Sequence, residues 1–379
     1  MWDKIKNFFS GKPSGASQSL PEIRWIDSTE KDNPFKVNLL DVQPVTRHTT
    51  SWSEDTRQVD NLGSYTCEDG SAFINDSPPE RSTVSASLRY PIDRALYGGQ
   101  FFVPGKMEHK WAIFFQQGKI LFVRSWLRQV VAVANCKIGE NELEVTSITG
   151  SLTGGVEENE RFRVRVADFL IRSHVLRMGE LAPIPLFLSL NPKAAALWCM
   201  NIYGEYAVFA TPFEYQSPMP IPRPLRTTTL LHLNAQRGDV AVVDKCLASG
   251  LPIDVLANDG FAPLHWALLS SKPEMTNHLI DRGSPVDVRS HDGATALMMV
   301  IQSRSIEMCR LLLERGADPN AVDHRGFSSL HRACEMGQFE IVQMLLSRGA
   351  KKDLVALGQT ARDLAVQRKE TKVIELLDN

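Results

Sequence analysis

The sequence has no long apolar run. Its longest stretches, such as Val130 to Ala134, fall far short of the roughly 18 residues that a membrane-crossing helix needs, so no span is expected. Asp3, Lys4 and Lys6 interrupt what would be the apolar core of a secretory signal. It has no excess charge of one sign either. With 42 Lys and Arg against 44 Asp and Glu, the net charge is −2, which supplies no basic field for phosphate backbones and argues against nucleic acid as a partner. The six cysteines (Cys67, Cys136, Cys199, Cys246, Cys309 and Cys334) include no pair at zinc-site or redox-motif spacing. Scattered thiols in a long chain point to a reducing, intracellular compartment, with the cytoplasm as default.

Catalytic signatures are equally scarce. Gly150-Ser151-Leu152-Thr153-Gly154-Gly155 lacks the Gly-Lys-Ser/Thr ending that reaches phosphates. A Gly-x-Ser-x-Gly elbow and a His-Glu-x-x-His helix are absent. What remains is a polar group around one hairpin: Glu108 and His109 enter it, Arg124 and Arg128 leave it. Antiparallel pairing brings these ends together, for acid–base work or anion binding, or as solvated charge on a sheet rim. Cys199 follows Leu197-Trp198 on an apolar helix and reads as buried, not nucleophilic. No cofactor or metal is expected.

What is there falls into four segments. Residues 1–32 hold an amphipathic stretch, Trp2, Ile5, Phe8 and Phe9, then a polar linker. That stretch is either a terminal helix packed on the next domain or an interfacial one touching a membrane surface or a partner. Residues 33–215 read as an α+β domain with an antiparallel sheet. Trp111, Ile113 and Phe115 alternate into a turn at Gln116-Gln117-Gly118-Lys119, and Ile120 and Phe122 alternate out of it. A second hairpin flanks Ile138–Asn141, an apolar stripe marks a helix over 164–177, and Asn191-Pro192 opens another helix. Residues 216–226 alternate proline with Met219, Ile221 and Arg223, the mark of an extended, stiff spacer or a proline-groove ligand.

Residues 227–379 repeat themselves. One glycine ladder runs Gly250, Gly283, Gly316, Gly349 in steps of 33; a second runs Gly260, Gly293, Gly326, Gly358 in steps of 33, 33 and 32. Between them stand Ala262-Pro263-Leu264-His265-Trp266-Ala267 and Ser328-Ser329-Leu330-His331-Arg332-Ala333, with shorter versions at Thr229, Thr295 and Thr360. Leu312-Leu313-Glu314-Arg315-Gly316-Ala317-Asp318-Pro319-Asn320 closes a unit. The pattern resembles the ankyrin repeat over about 40% of the chain, in five copies, and implies an all-α solenoid of helix pairs. In that family the signature threonine and histidine stitch neighbouring turns together. Met298 replaces the histidine in the third copy, which should therefore be looser. The last copy's charged residues, Arg368 to Glu375, are expected to form a solvated end face.

The resemblance implies binding of another protein by an adaptor or scaffold, through hairpin tips and first-helix faces. By position the tips are Asn258, Asp259 and Phe261, then His291 and Asp292, then His324, Arg325 and Phe327. The helix face adds Trp266, Met299, Arg332 and Glu335. Aromatic and arginine side chains dominate interface energetics. His331 and Cys334, three residues apart, read as signature histidine and small core residue instead of a metal pair. The alternatives are an enzymatic N-terminal domain whose substrate or regulator the repeats select, and an array that packs mainly on that domain. Partner, process and oligomeric state are not legible in the sequence.

Overall fold

The computed structural model describes residues 23–31, 33, 35–47, 60–61, 63–106, 108–154, 159–212, 214 and 220–378. The amphipathic stretch at residues 1–10 and Pro218-Met219 lie outside them.

The N-terminal part is built on a six-stranded antiparallel sheet. Its strands are β3 (Thr83–Pro91), β4 (Gly99–Phe102), β5 (Trp111–Gln116), β6 (Lys119–Arg124), β7 (Gln129–Ile138) and β8 (Glu142–Gly150), in the spatial order β3-β8-β7-β6-β5-β4. The expected hairpin is β5–β6. Its two-residue turn places Gln117 at φ 49° and Gly118 at φ 74°, the pairing whose twist matches the strands it joins. Strand β5 is buried along its whole length. Trp111, Ile113 and Phe115 join the main core, whereas Ala112 and Phe114 pack under Tyr65 and Phe73 on the other face.

The main core is closed by two helices, α2 (Glu160–Leu170) and α3 (Pro192–Tyr203). Asn159 caps α2 by accepting from the Phe162 N–H, and Asn191 caps α3 by accepting from the Ala194 N–H with Pro192 just inside. The stripe expected over 164–177 starts earlier and ends in a π-helical turn, Ile171–Val175. A second sheet joins β1 (Trp25–Ile26), β2 (Leu39–Asp41), β9 (Ala182–Ile184) and β10 (Phe209–Pro212); β9 and β10 run parallel. A short helix, α1 (Gln43–Thr46), follows β2. Residues 25 and 26, expected in a polar linker, are therefore part of a sheet.

The C-terminal part contains five helix pairs: α4 (Leu230–Arg237) with α5 (Val240–Ala248), α6 (Pro263–Leu269) with α7 (Pro273–Asp281), α8 (Ala296–Gln302) with α9 (Ile306–Glu314), α10 (Ser329–Glu335) with α11 (Phe339–Ser347), and α12 (Ala361–Arg368) with α13 (Thr371–Asp378). Each first helix packs on the next, so one apolar cluster runs from Leu231 to Leu377. Gly250, Gly283, Gly316 and Gly349 leave the second helices at φ between 82° and 99°, the left-handed exit expected of the ladder. The 32-residue step is a one-residue deletion. The last tip is a two-residue hairpin between β11 (Val355–Ala356) and β12 (Gln359–Thr360).

Between the two parts the spacer expected over residues 216–226 ends, from Leu225, in a packed seam. Leu225, Arg226, Thr227, Thr228 and Thr229 are all buried. The Leu225 N–H donates to the Pro91 carbonyl at 2.8 Å, and Thr228 exchanges backbone hydrogen bonds with Gln100 at 2.8 and 2.9 Å. Thr228 thereby covers the outer edge of β4, which otherwise offers unpaired backbone groups. Arg226 grips the Asp93 carboxylate with two nitrogens and donates to His291 Nδ1 at 2.9 Å.

Candidate protein-interaction surface

The expected tips divide into those the seam occupies and those it leaves open. The Asn258 side chain accepts from the Thr228 hydroxyl at 2.9 Å and donates to the Phe101 carbonyl at 3.0 Å. Its polar groups are committed inside the molecule. His291 receives Arg226 on its ring and donates its backbone N–H to the Gly260 carbonyl. Asp259 turns back to accept from the Phe261 N–H. Asp292 and His324 are exposed, and the Asp292 carbonyl accepts from the His324 N–H, tying successive tips together.

The third tip stands clear of the seam. The half-buried Phe327 ring lies between two guanidinium groups, Arg325 at 5.3 Å and Arg332 at 4.8 Å, and edge-on to His331. Both arginines reach the buried Asp323 carboxylate, at 3.6 and 3.2 Å. Two backbone N–H groups and these cations overcome its burial and hold the Asp323 carboxyl below the usual carboxylate range. On the helix face, Trp266 is half-buried against His232, and Glu335 accepts from Arg368 at 2.9 Å. Met299 departs from expectation. It is only 7% exposed, at the helix position held by the larger Trp266 and Arg332 one repeat either side, so it belongs to the packed interior.

Of the signature histidines, His232 does the stitching expected of it, whereas His265 and His331 bond only their own helix caps through Nδ1 and leave the buried Nε2 without a partner among the described residues. His232 contacts the Thr229 hydroxyl at 3.0 Å with Nδ1 and the Val255 carbonyl at 2.9 Å with Nε2. Burial holds His232 and His265 neutral, their pKa lowered to about 4. His331 contacts the Ser328 hydroxyl at 2.8 Å, and burial raises the Cys334 thiol to about 12, which suits the structural reading of both. No group of three metal-ligating side chains occurs among the described residues.

The polar group of the N-terminal hairpin is dispersed, contrary to expectation. Trp111 does pair with Arg124 across the strands, but the guanidinium lies over the Trp111 ring and donates to the Ile202 carbonyl at 3.1 Å, at the end of α3. Arg128 binds Glu68 at 2.6 Å and lies over Tyr65 and Phe73, on the opposite face. His109 Nδ1 accepts from the Gly105 N–H at 2.9 Å, so Nε2 carries the proton that meets Glu205 at 2.7 Å. Both nitrogens of the imidazole are thus engaged within the fold. The Glu108 backbone is pinned under Gly204.

Sequence reasoning missed a second polar network. Asp168 accepts from the Tyr90 hydroxyl at 2.8 Å and Arg172 Nε at 3.0 Å, and Arg172 continues to the buried Glu180 at 3.1 Å. Asp168 and Arg165 also line a groove of about 760 Å³ between β3 and α2. The spacing of Arg165, Asp168 and Arg172 is a helical-face signal available in the sequence. Glu180 lies outside the helix and offers none.

Residues 269–356 match the family model for ankyrin repeats in three copies. The match lies wholly in the C-terminal part and within the five helix pairs. No curated protein matches the chain.

Proposed function

Because the C-terminal helix pairs are ankyrin repeats, and such repeats point to protein–protein interaction, we propose that the protein is an adaptor or scaffold that holds a partner protein through the later repeats. One observation carries the reading. The seam spends Asn258 and His291 on the N-terminal part, while at the next tip a half-buried aromatic ring lies between the exposed Arg325 and the partly exposed Arg332, side-chain types that dominate interface energetics. Trp266 adds an aromatic on the first-helix face two repeats earlier. The enzymatic reading of the N-terminal domain has no comparable support, since His109, Arg124 and Arg128 make separate contacts with Glu205, the Ile202 carbonyl and Glu68. Six free cysteines favour a reducing, intracellular setting for this role.

The test is affinity capture with full-length protein and with a triple variant, Trp266→Ala, Phe327→Ala and Arg332→Ala. A protein retained by the wild type and lost by the folded variant supports the reading. Equal capture by both baits sinks it.

A further inference from the structure

The five first helices differ at one face. The second and sixth residues past each N-cap lie a turn apart on one side of the helix. In the first four repeats they are Leu231 and Ala235, Leu264 and Leu268, Leu297 and Ile301, Leu330 and Cys334, all buried within the stack. In the fifth they are Arg362, bound to Asp378 at 2.6 and 3.0 Å, and Val366, which is 46% exposed. The adjoining tip adds Val355 at 59% and Leu357 at 73% exposure.

Leu357 is out of place twice over. It holds φ 50° beside Gly358 at φ 80°, a turn whose first position favours Asn, Asp or Gly. The equivalent stretches of the earlier tips are polar: Asn258-Asp259, His291-Asp292 and His324-Arg325. An apolar side chain in a disfavoured backbone conformation, directed at solvent, has no return within the fold. Beside it, Asp323 is shared between Arg325 and Arg332, and the Arg325 side chain is 60% exposed.

Building on the protein-binding reading above, we propose that this end face of the fifth repeat docks an amphipathic helix of the partner. Its apolar stripe covers Val355, Leu357 and Val366, and a flanking carboxylate meets Arg325. A helix fits because a first helix is what occupies this face in every earlier repeat.

The probe is a displayed library of helix-forming 16-residue peptides, selected on the full-length protein. Enriched peptides are expected to carry apolar residues at i, i+4 and i+7 with Glu or Asp beside them. Their affinity should fall at least tenfold with Leu357→Asn and with Val366→Gln, and stay unchanged with Leu190→Asn, an equally apolar exposed residue on the N-terminal part. Asparagine suits the turn, so Leu357→Asn keeps or raises the melting temperature, and lost binding is not lost folding. Peptides that survive both end-face variants, or that are lost equally with Leu190→Asn, overturn the proposal while leaving the protein-binding reading intact. No enrichment overturns it too. Self-association abolished by Leu357→Asn in sedimentation would also overturn it, by giving the face to a second copy.

Discussion

The two parts of this chain solve the same burial problem with opposite economies of contact. In the repeats almost every packing contact lies within one period of 33 residues, and the same side chain recurs at the same place. Leu231, Leu264, Leu297 and Leu330 are four copies of one decision. In the N-terminal part the contacts are long-range and unrepeated. Trp111 Nε1 donates to the Ile202 carbonyl, 91 residues away, and the Tyr65 hydroxyl donates to the Ser125 carbonyl, 60 residues away. A fold made of unique contacts should fail abruptly at single positions, whereas a periodic one should spread the damage.

The sharpest break of that comparison sets two glycines against each other. Gly204 ends α3 at φ 64° and ψ −145°, and a Cβ there would stand 1.8 Å from the Glu108 carbonyl oxygen. Gly204→Ala is expected to cost several kcal/mol, on the order of 3 or more, because both the backbone and the packing forbid it. Gly316 exits α9 at φ 89° with nothing within 4 Å of its missing Cβ. Gly316→Ala should cost only about 1 kcal/mol, the conformational term alone. Urea unfolding of the full-length variants measures both. Equal losses would end the contrast.

Arg226 tests whether the two parts are independent. It joins Asp93 to His291 from a buried position, and Arg226→Ala leaves Asp93 unpaired at the seam. A loss of about 2 kcal/mol is expected, less than for a fully buried pair because Asp93 is partly exposed. The more telling readout is cooperativity. If the seam couples the parts, the variant's thermal transition should separate into two, with faster amide exchange over residues 228–262. A single unshifted transition would show that the backbone rungs at Thr228 suffice.

Legibility follows the same division. Periodicity displayed the repeats, their glycine exits and the capping residues, since each signal was stated up to five times. In the N-terminal part, local chemistry located what is local: the Gln117-Gly118 turn and the Asn159 and Asn191 caps belong to elements visible in a short window. The small sheet was not visible, because β1, β2, β9 and β10 come from chain positions up to about 180 residues apart and none exceeds four residues. The seam was misread for another reason. Proline alternation over 218–224 has a stiff-spacer pattern, and nothing in Arg226-Thr227-Thr228 announces that Thr228 will cap a sheet edge. Charge clustering around the hairpin misled because strand pairing fixes where backbones meet, whereas Arg124 and Arg128 leave by opposite faces.

Acid should find the repeats through their histidines. His232 and His265 are buried neutral, so the folded state takes up their protons only near pH 4, while the unfolded chain takes them up near 6.5. The unfolded state binds more protons throughout that interval, so stability is complete above about pH 6.5 and falls as pH drops toward 4. The urea midpoint should decline over this window, and replacing His232 with Gln should flatten the decline. An unchanged slope would assign acid sensitivity to other groups, His174 first, whose burial lowers its pKa to about 3.

The smallest expected effect bears most directly on how a repeat tolerates an exception. Met298 stands where the second and fourth repeats have His265 and His331; Thr295 still caps α8, at a stretched 3.5 Å from the Met298 N–H. His232 shows what the third repeat lacks, an Nε2 contact to the Val255 carbonyl. Two periods on, the acceptor would be the Ala321 carbonyl. Met298→His at pH 7.5 should add one buried hydrogen bond and remove a well-packed thioether, a net gain of about 0.5–1 kcal/mol. Amide exchange over residues 295–302 and 321–327 should slow accordingly, more than exchange in the other repeats. If the variant is destabilised instead, methionine has become the better-packed solution at this site, and the third repeat is held by its apolar contacts alone.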